Sequence, residues 1–166
     1  MDSLTVRQMT LEDVDAVQAV NVRNLTENYR RDFFRDAMMN YPMATFVAIL
    51  SEMLVGYILC SSHGDEGLVV SIAIDEECRG RHLGKKLMLA CRTHVNSNYV
   101  TNSFFADNAL KQYYGCRTCT LHVRKNNFIA QKLYTKLGYK IVKLIPNYYS
   151  NDDGYLMRIC FSDSQC

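Results

Sequence analysis

Arg79, Arg81, Lys85 and Lys86 are interleaved with Gly80 and Gly84. Positive side chains alternating with positions that lack one suit an anion held close to the backbone. Glycine permits the approach, while guanidinium and ammonium groups offset the charge. Upstream, Ser71-Ile72-Ala73-Ile74 reads as a buried strand that ends in the acidic turn Asp75-Glu76-Glu77. Downstream, Leu83, Leu87, Met88 and Cys91 recur at helical spacing. The first N–H groups of a helix lack intrahelical acceptors and sit at the positive end of its dipole, so this strand–loop–helix unit reads as a phosphate-binding turn. A surface turn with solvated lysines is the plainer alternative. Neither G-x-G-x-x-G nor G-x-x-x-x-G-K-[ST] is present, which removes the common nucleotide fingerprints.

Four further positions have side chains suited to proton transfer or ligand contact. His122 lies in the apolar run Cys119–Val123, where an imidazole is either hydrogen-bonded packing or a proton relay near neutrality. Glu27 falls in the polar and aromatic stretch Asn24–Tyr29, and is a solvated carboxylate unless that loop closes over a site. Tyr134 shares helical spacing with Leu133 and Leu137, a pattern that also describes core packing. Asn127 opens the same helix, where capping is its ordinary duty.

Hydrophobic periodicity supplies the elements that must position these groups. A β-prone opening at Leu4, Val6 and Met9 leads to Thr10 and Asp13, a capping-box-like start to a helix over 11–22. Phe33, Phe34, Ala37, Met38 and Tyr41 predict a second helix that stops before Pro42. Two strands at 45–50 and 54–60 read as a hairpin, and a third at 68–75 delivers the chain to the cationic turn. A helix over 83–95 follows, then a mixed stretch from Asn96 to Cys116 with a short helix near 107–113. The strand at 119–123 precedes a helix over 127–137 capped by Gly138. Strands at 139–145 and 155–161 flank a loop carrying Tyr148 and Tyr149, where aromatic packing is the plain expectation. The order β-α-α-β-β-β-α-β-α-β-β implies an α/β fold, a mixed sheet with helices on both faces.

Composition narrows the class. At 166 residues, 48% hydrophobic and 22% charged, the sequence fits one domain over 1–166 with a substantial core. A net charge of +2 makes no general case for nucleic acid or membrane. The compact patch at 79–86 lacks the interleaved aromatics of a nucleic-acid surface. No apolar run approaches membrane-spanning length, and the N-terminus has no signal-like core, so a cytoplasmic location is expected. Seven cysteines without framework spacing suggest reduced thiols, and the single C-x-x-C at Cys116 and Cys119 makes no metal site expected.

The turn Arg79-Gly80-Arg81-His82-Leu83-Gly84 resembles R-x-x-G-x-G/A, the pyrophosphate loop of the GNAT acetyltransferases, with His82 where that family usually has its first glycine. Leu121-His122-Val123-Arg124-Lys125-Asn126-Asn127 and Asn127-x-x-Ala130-x-x-Leu133-Tyr134-x-Lys136-Leu137-Gly138-Tyr139 resemble the strand and helix of that family's second CoA wall. Leu25-x-Glu27-Asn28-Tyr29, Val70–Ile74 and the Tyr148-Tyr149 pair narrow the likeness to N-terminal acetyltransferases, most closely the catalytic subunit of the NatA complex. NatB-like or broad-specificity enzymes, or a non-catalytic acyl-CoA-binding subunit, are the alternatives.

The resemblance implies the GNAT fold and transfer of acetyl from acetyl-CoA to protein N-termini. It implies small first residues such as Ser, Ala, Thr or Gly in complex with a large helical auxiliary subunit, acidic ones alone, and ribosome association through that subunit. It also implies catalytic roles for Glu27, His122 and Tyr134. Acetyl-CoA would contact Ile72, Ala73 and Ile74 through the backbone, and Arg79, Gly80, Arg81, His82, Leu83, Gly84, Lys85, Asn127 and Tyr134. The substrate would meet Leu25, Glu27, Tyr29, Tyr148 and Tyr149. An α-amine of pKa ~7.7–8.0 needs only a modest base, unlike lysine near ~10.4. No nucleophile has a base beside it in the pattern, so direct transfer within a ternary complex is expected.

Overall fold

The computed structural model describes residues 4–92 and 109–161. Its strands are β1 (Leu4–Gln8), β2 (Thr45–Leu50), β3 (Met53–His63), β4 (Glu66–Ile74), β5 (Thr118–Arg124), β6 (Lys140–Tyr149) and β7 (Asp152–Cys160). They form a sheet of order β1-β2-β3-β4-β5-β7-β6. Neighbours are antiparallel except β4 and β5, which run parallel. The helices are α1 (Val14–Asn24), α2 (Arg31–Asn40), α3 (Leu83–Arg92), α4 (Ala109–Tyr114) and α5 (Phe128–Lys136). The last residues of the expected 83–95 helix and most of the Asn96–Cys116 stretch lie outside the described residues.

Strand alternation sends side chains to two separate cores. On one face Val47, Tyr57, Leu59 and Ala73 pack with Val14, Val17 and Val20 of α1 and Phe34 and Met38 of α2. On the other, Phe46, Ala48, Val55 and Ile58 pack with Leu83, Leu87 and Met88 of α3 and Tyr134 of α5. Each fully buried Val or Leu adds about 1.5–3 kcal/mol relative to leaving it in water, which fixes both helical layers on the sheet.

Local chemistry sets the joints. Leu11–Asp13 form a 3-10 turn ahead of α1. The Asp13 carboxylate accepts from the Thr10 amide at 2.8 Å and from both terminal nitrogens of Arg7. The β2–β3 hairpin turns at Ser51 and Glu52, both left-handed at φ 47° and 69°, as a tight two-residue connection requires.

Two expectations shift. β6 continues through Pro146 to Tyr149, and β7 begins at Asp152, so the anticipated 146–154 loop shrinks to a turn. β6 lies at the sheet edge, where a residue without an N–H is tolerated. Asn147 at φ 51° marks the irregularity between Ile145 and Tyr149. The C-x-x-C cysteines are buried and not bridged to each other. Cys160, however, is disulfide-bonded, unlike the all-reduced expectation.

Candidate active site

β4 and β5 pair only from Glu66↔Thr118 to Val69↔Leu121, and then part. The cause lies on the other side of β4. Leu59 pairs with Ser71 and Cys60 with Val69, so Val70 is an extra residue, a bulge that bends β4 where β5 leaves it. The splay opens a cleft of about 470 Å³ lined by β4 residues Leu68–Ile72, β5 residues Leu121–Arg124, and Asn127, Tyr134, Tyr148 and Tyr149.

The β4 wall offers backbone. Asp75 N–H donates to the Val55 carbonyl at 2.8 Å, so the 75–55 pair is hydrogen-bonded. Antiparallel alternation then bonds 73–57 and 71–59 to β3, and turns the amides and carbonyls of Ile72 and Ile74 toward the gap. Ala73 therefore turns its backbone to β3, and the edge groups are those of its two neighbours. The Ile74 carbonyl accepts from Arg79 Nε at 3.2 Å.

At its end β4 passes through a 3-10 turn into α3. Gly80 at φ 80° and His82 at φ 60° are left-handed. His82 thus adopts at some strain, of order 1–2 kcal/mol, a conformation glycine takes freely, and its ring is exposed. Its carbonyl accepts from Lys86 N–H, so the amides of Leu83, Gly84 and Lys85 open the helix without acceptors inside it. A Cβ on Gly84 would lie 3.2 Å from Leu133, so this glycine also lets α3 approach α5. Arg81 and Lys85 are exposed at the same end. Arg79 differs, because beyond the Ile74 carbonyl it donates to Asn24 Oδ1 at 3.1 Å and ties the turn to the end of α1.

The opposite wall is made of side chains. His122 on β5 stacks on Tyr148 with ring centroids 4.3 Å apart. Burial holds its imidazole below the ordinary histidine pKa. Gly154 on β7 makes room for this stack, since a Cβ there would meet Tyr148 Cβ at 2.9 Å. Tyr149 lies edge-on to Tyr148 at 4.9 Å, and burial first, then Tyr148 and Glu27, push its phenol far upward. Tyr134 on α5 is 7% exposed, and burial pushes its phenol up to about 12. Its hydroxyl has no protein partner among the described residues, yet is not a sealed-off atom, so it opens to the cleft. Asn127, which lines the cleft, caps α5 by accepting from Ala130 N–H at 3.1 Å.

The third side is the loop between α1 and α2, where Leu25, Glu27 and Tyr29 line the cleft. Tyr29 is fixed by stacking on Phe33 at 4.2 Å. Glu27 is ion-paired with Arg124, a β5 residue to which the motif reading gave no role. Arg124 also donates to Thr26 Oγ1 and Asn151 Oδ1, each at 2.8 Å, and lies 4.2 Å over the Tyr149 ring. One guanidinium therefore joins the α1–α2 loop to the β6–β7 turn across the cleft mouth. Its signals in the sequence are its place in the Leu121–Asn127 motif and a charge at the end of an apolar strand, neither of which names its partners.

An open strand edge, unpaired helix amides and a side-chain wall with a proton-holding phenol are an arrangement for an extended ligand ending in a phosphate, with an acceptor group opposite. A profile described as the acetyltransferase (GNAT) family matches residues 11–139. The chain belongs to that family. Like its GNAT relatives, it is an acyltransferase. It is 33% identical to an N-alpha-acetyltransferase of Saccharolobus solfataricus, covering 92% of this chain and 90% of that protein. It is 32% identical to the N-terminal acetyltransferase A complex catalytic subunit NAA10 of Arabidopsis thaliana, covering 92% and 76%. Among solved structures it matches Ard1 from Thermoplasma volcanium with a TM-score of 0.80 at 25% identity, covering 96% and 99%. The mixed, mostly antiparallel sheet with helices on both faces is the GNAT fold that the order of elements and the resemblance implied.

Proposed function

We propose that this GNAT protein is an N-alpha-acetyltransferase that moves acetyl from acetyl-CoA to the α-amine of protein N-termini by direct transfer. The observation that carries the reading is the β4–β5 splay, with free backbone on one side and Glu27, His122, Tyr134, Tyr148 and Tyr149 on the other. The residues fit the cosubstrate: the amide and carbonyl of Ile72 and the amide of Ile74 present a strand edge for an amide-bearing chain, and the first amides of α3 with Arg81 and Lys85 suit its diphosphate. Acetyl-CoA supplies the activated acyl group.

The chain's own groups supply the rest. A backbone N–H on the β4 edge is placed to hold a developing oxyanion. His122, kept neutral by burial, accepts the proton lost by the attacking amine, directly or through one water. Tyr134 retains its proton throughout the neutral range and returns one to the departing sulfur. Glu27 orients the substrate N-terminus, and Tyr29, Tyr148 and Tyr149 cover its first residues. The amide forms as the thioester breaks, and no acetyl-enzyme intervenes.

The relatives named as catalytic subunits of the N-terminal acetyltransferase A complex support assembly with a partner subunit. From the sequence resemblance we carry over a preference for small first residues with a helical auxiliary subunit and acidic ones alone, ribosome association through that subunit, and a cytoplasmic setting. A panel of peptides differing in the first residue, incubated with the purified chain and acetyl-CoA, tests the reading. Acetylation confined to the α-amine supports it. Acetylation of internal lysines, or acetyl-CoA binding without turnover on any peptide, overturns it.

A further inference from the structure

Asn21 is a polar residue with no exposure at all, on the buried face of α1. Every hydrogen-bonding group of its side chain that the structure pairs is committed to one task. Nδ2 donates to the Glu27 carbonyl at 3.2 Å and to the Tyr57 hydroxyl at 2.9 Å, and Oδ1 accepts from the Tyr29 amide at 3.0 Å. One turn earlier, Gln18 donates to the Tyr29 carbonyl at 3.2 Å. The Tyr57 hydroxyl in turn shares a 2.8 Å hydrogen bond with Ser71, which lines the cleft on β4.

We propose that Asn21, anchored through Tyr57 and Ser71, is a positioning residue that sets the α1–α2 loop at the height at which Leu25, Glu27 and Tyr29 meet a substrate N-terminus. The inference rests on the N-alpha-acetyltransferase reading. The physical case is one of cost. An amide sealed in an apolar core is stabilising only when its groups are paired, and here two partners are the loop's backbone and the third is the Tyr57 hydroxyl on β3. Backbone pairing fixes the loop without using the side chains that face the cleft. Of the side chains that line the cleft, Glu27 pairs with Arg124 at the mouth and Tyr29 stacks on Phe33, and neither is needed to hold the loop's backbone. The route runs from α1 through the loop on one side and through β3 to β4 on the other, so the loop is referenced to the strand beside the Ile72 edge.

The test compares Asn21→Ala and Tyr57→Phe with the parent chain, reading peptide KM, acetyl-CoA KM, kcat and residue-level hydrogen exchange. Asn21→Ala is expected to raise peptide KM about 10- to 100-fold with acetyl-CoA KM unchanged, as loss of orientation at a site requires. Tyr57→Phe, which keeps the ring in its packing but removes the hydroxyl's links to Asn21 and Ser71, is expected to raise it about 2- to 10-fold. Exchange at the Tyr29 amide should accelerate in Asn21→Ala while the sheet amides hold. If Asn21→Ala fails to fold, Tyr57→Phe carries the kinetic test alone. Parent-like peptide KM in the folded variants, an equal rise in both KM values, or an unchanged Tyr29 amide overturns the proposal. A parent chain that acetylates no peptide instead defeats the functional reading, and exchange at Tyr29 then still decides whether Asn21 holds the loop.

Discussion

The two walls of the cleft solve different problems with different materials. Along β4 and the start of α3, the groups facing the gap are amides and carbonyls of Ile72 and Ile74 and the first amides of the helix. Along β5, α5 and the β6–β7 turn they are side chains: His122, Arg124, Tyr134, Tyr148 and Tyr149. A cosubstrate that never varies can be held by backbone, which tolerates substitution provided the strand stays bulged and the turn left-handed. A reaction and a chosen acceptor need particular acids, bases and surfaces. Mutation should therefore be nearly silent on the first wall and severe on the second.

The largest effect is expected at Tyr134. Replacing it with Phe removes a proton held at about 12 and should lower kcat about 100-fold or more, with acetyl-CoA affinity unchanged by calorimetry. A loss of affinity in place of rate would move Tyr134 from chemistry to binding and blur the distinction between the walls.

His122 sharpens it through pH. Its depressed pKa keeps the imidazole neutral below the ordinary value of ~6.5, so the acid limb of kcat/KM should fall below that pH and disappear in His122→Gln. The same depression means that the unfolded chain binds the proton more readily. The stability it contributes is full above ~6.5 and is lost as pH falls toward the folded pKa.

Arg124→Ala comes next. It releases Glu27, Thr26, Asn151 and the face of Tyr149 together, and should raise peptide KM about 10-fold, the scale of a lost charge-assisted hydrogen bond. On the backbone wall, His82→Gly removes a left-handed non-glycine residue and should stabilise the fold by about 1 kcal/mol in thermal unfolding. Smallest of all, Ile72→Val keeps the backbone edge and should change acetyl-CoA KM less than about 2-fold.

Local periodicity announced most of the scaffold. Leu83, Leu87 and Met88 marked α3, the runs at 45–50 and 54–60 marked β2 and β3, and Gly138 at φ 94° ended α5 as its position suggested. What stayed hidden depends on pairing between distant segments. The Val70 bulge exists only in the register of β4 against β3, and the splay only where β5 fails to follow. Asn21 looked like any polar position on an amphipathic helix, because its partners at Tyr57 and Tyr29 belong to other elements. Arg79 matched a phosphate motif, yet its guanidinium spans Asn24 and the Ile74 carbonyl. Tyr148 and Tyr149 were recognisable as a pair. Their place at the end of β6 was not, because Pro146 reads as a strand breaker until the strand proves to be an edge.

Residue-level amide hydrogen exchange with and without acetyl-CoA tests the division of labour most directly. The account predicts slowed exchange at Ile72, Ile74, Gly84 and Lys85 when acetyl-CoA is added, with no comparable change at Glu27 or Tyr29 until peptide is present. Protection concentrated on β5 and the β6–β7 turn, with the Ile72 and Ile74 amides unaffected, would contradict it.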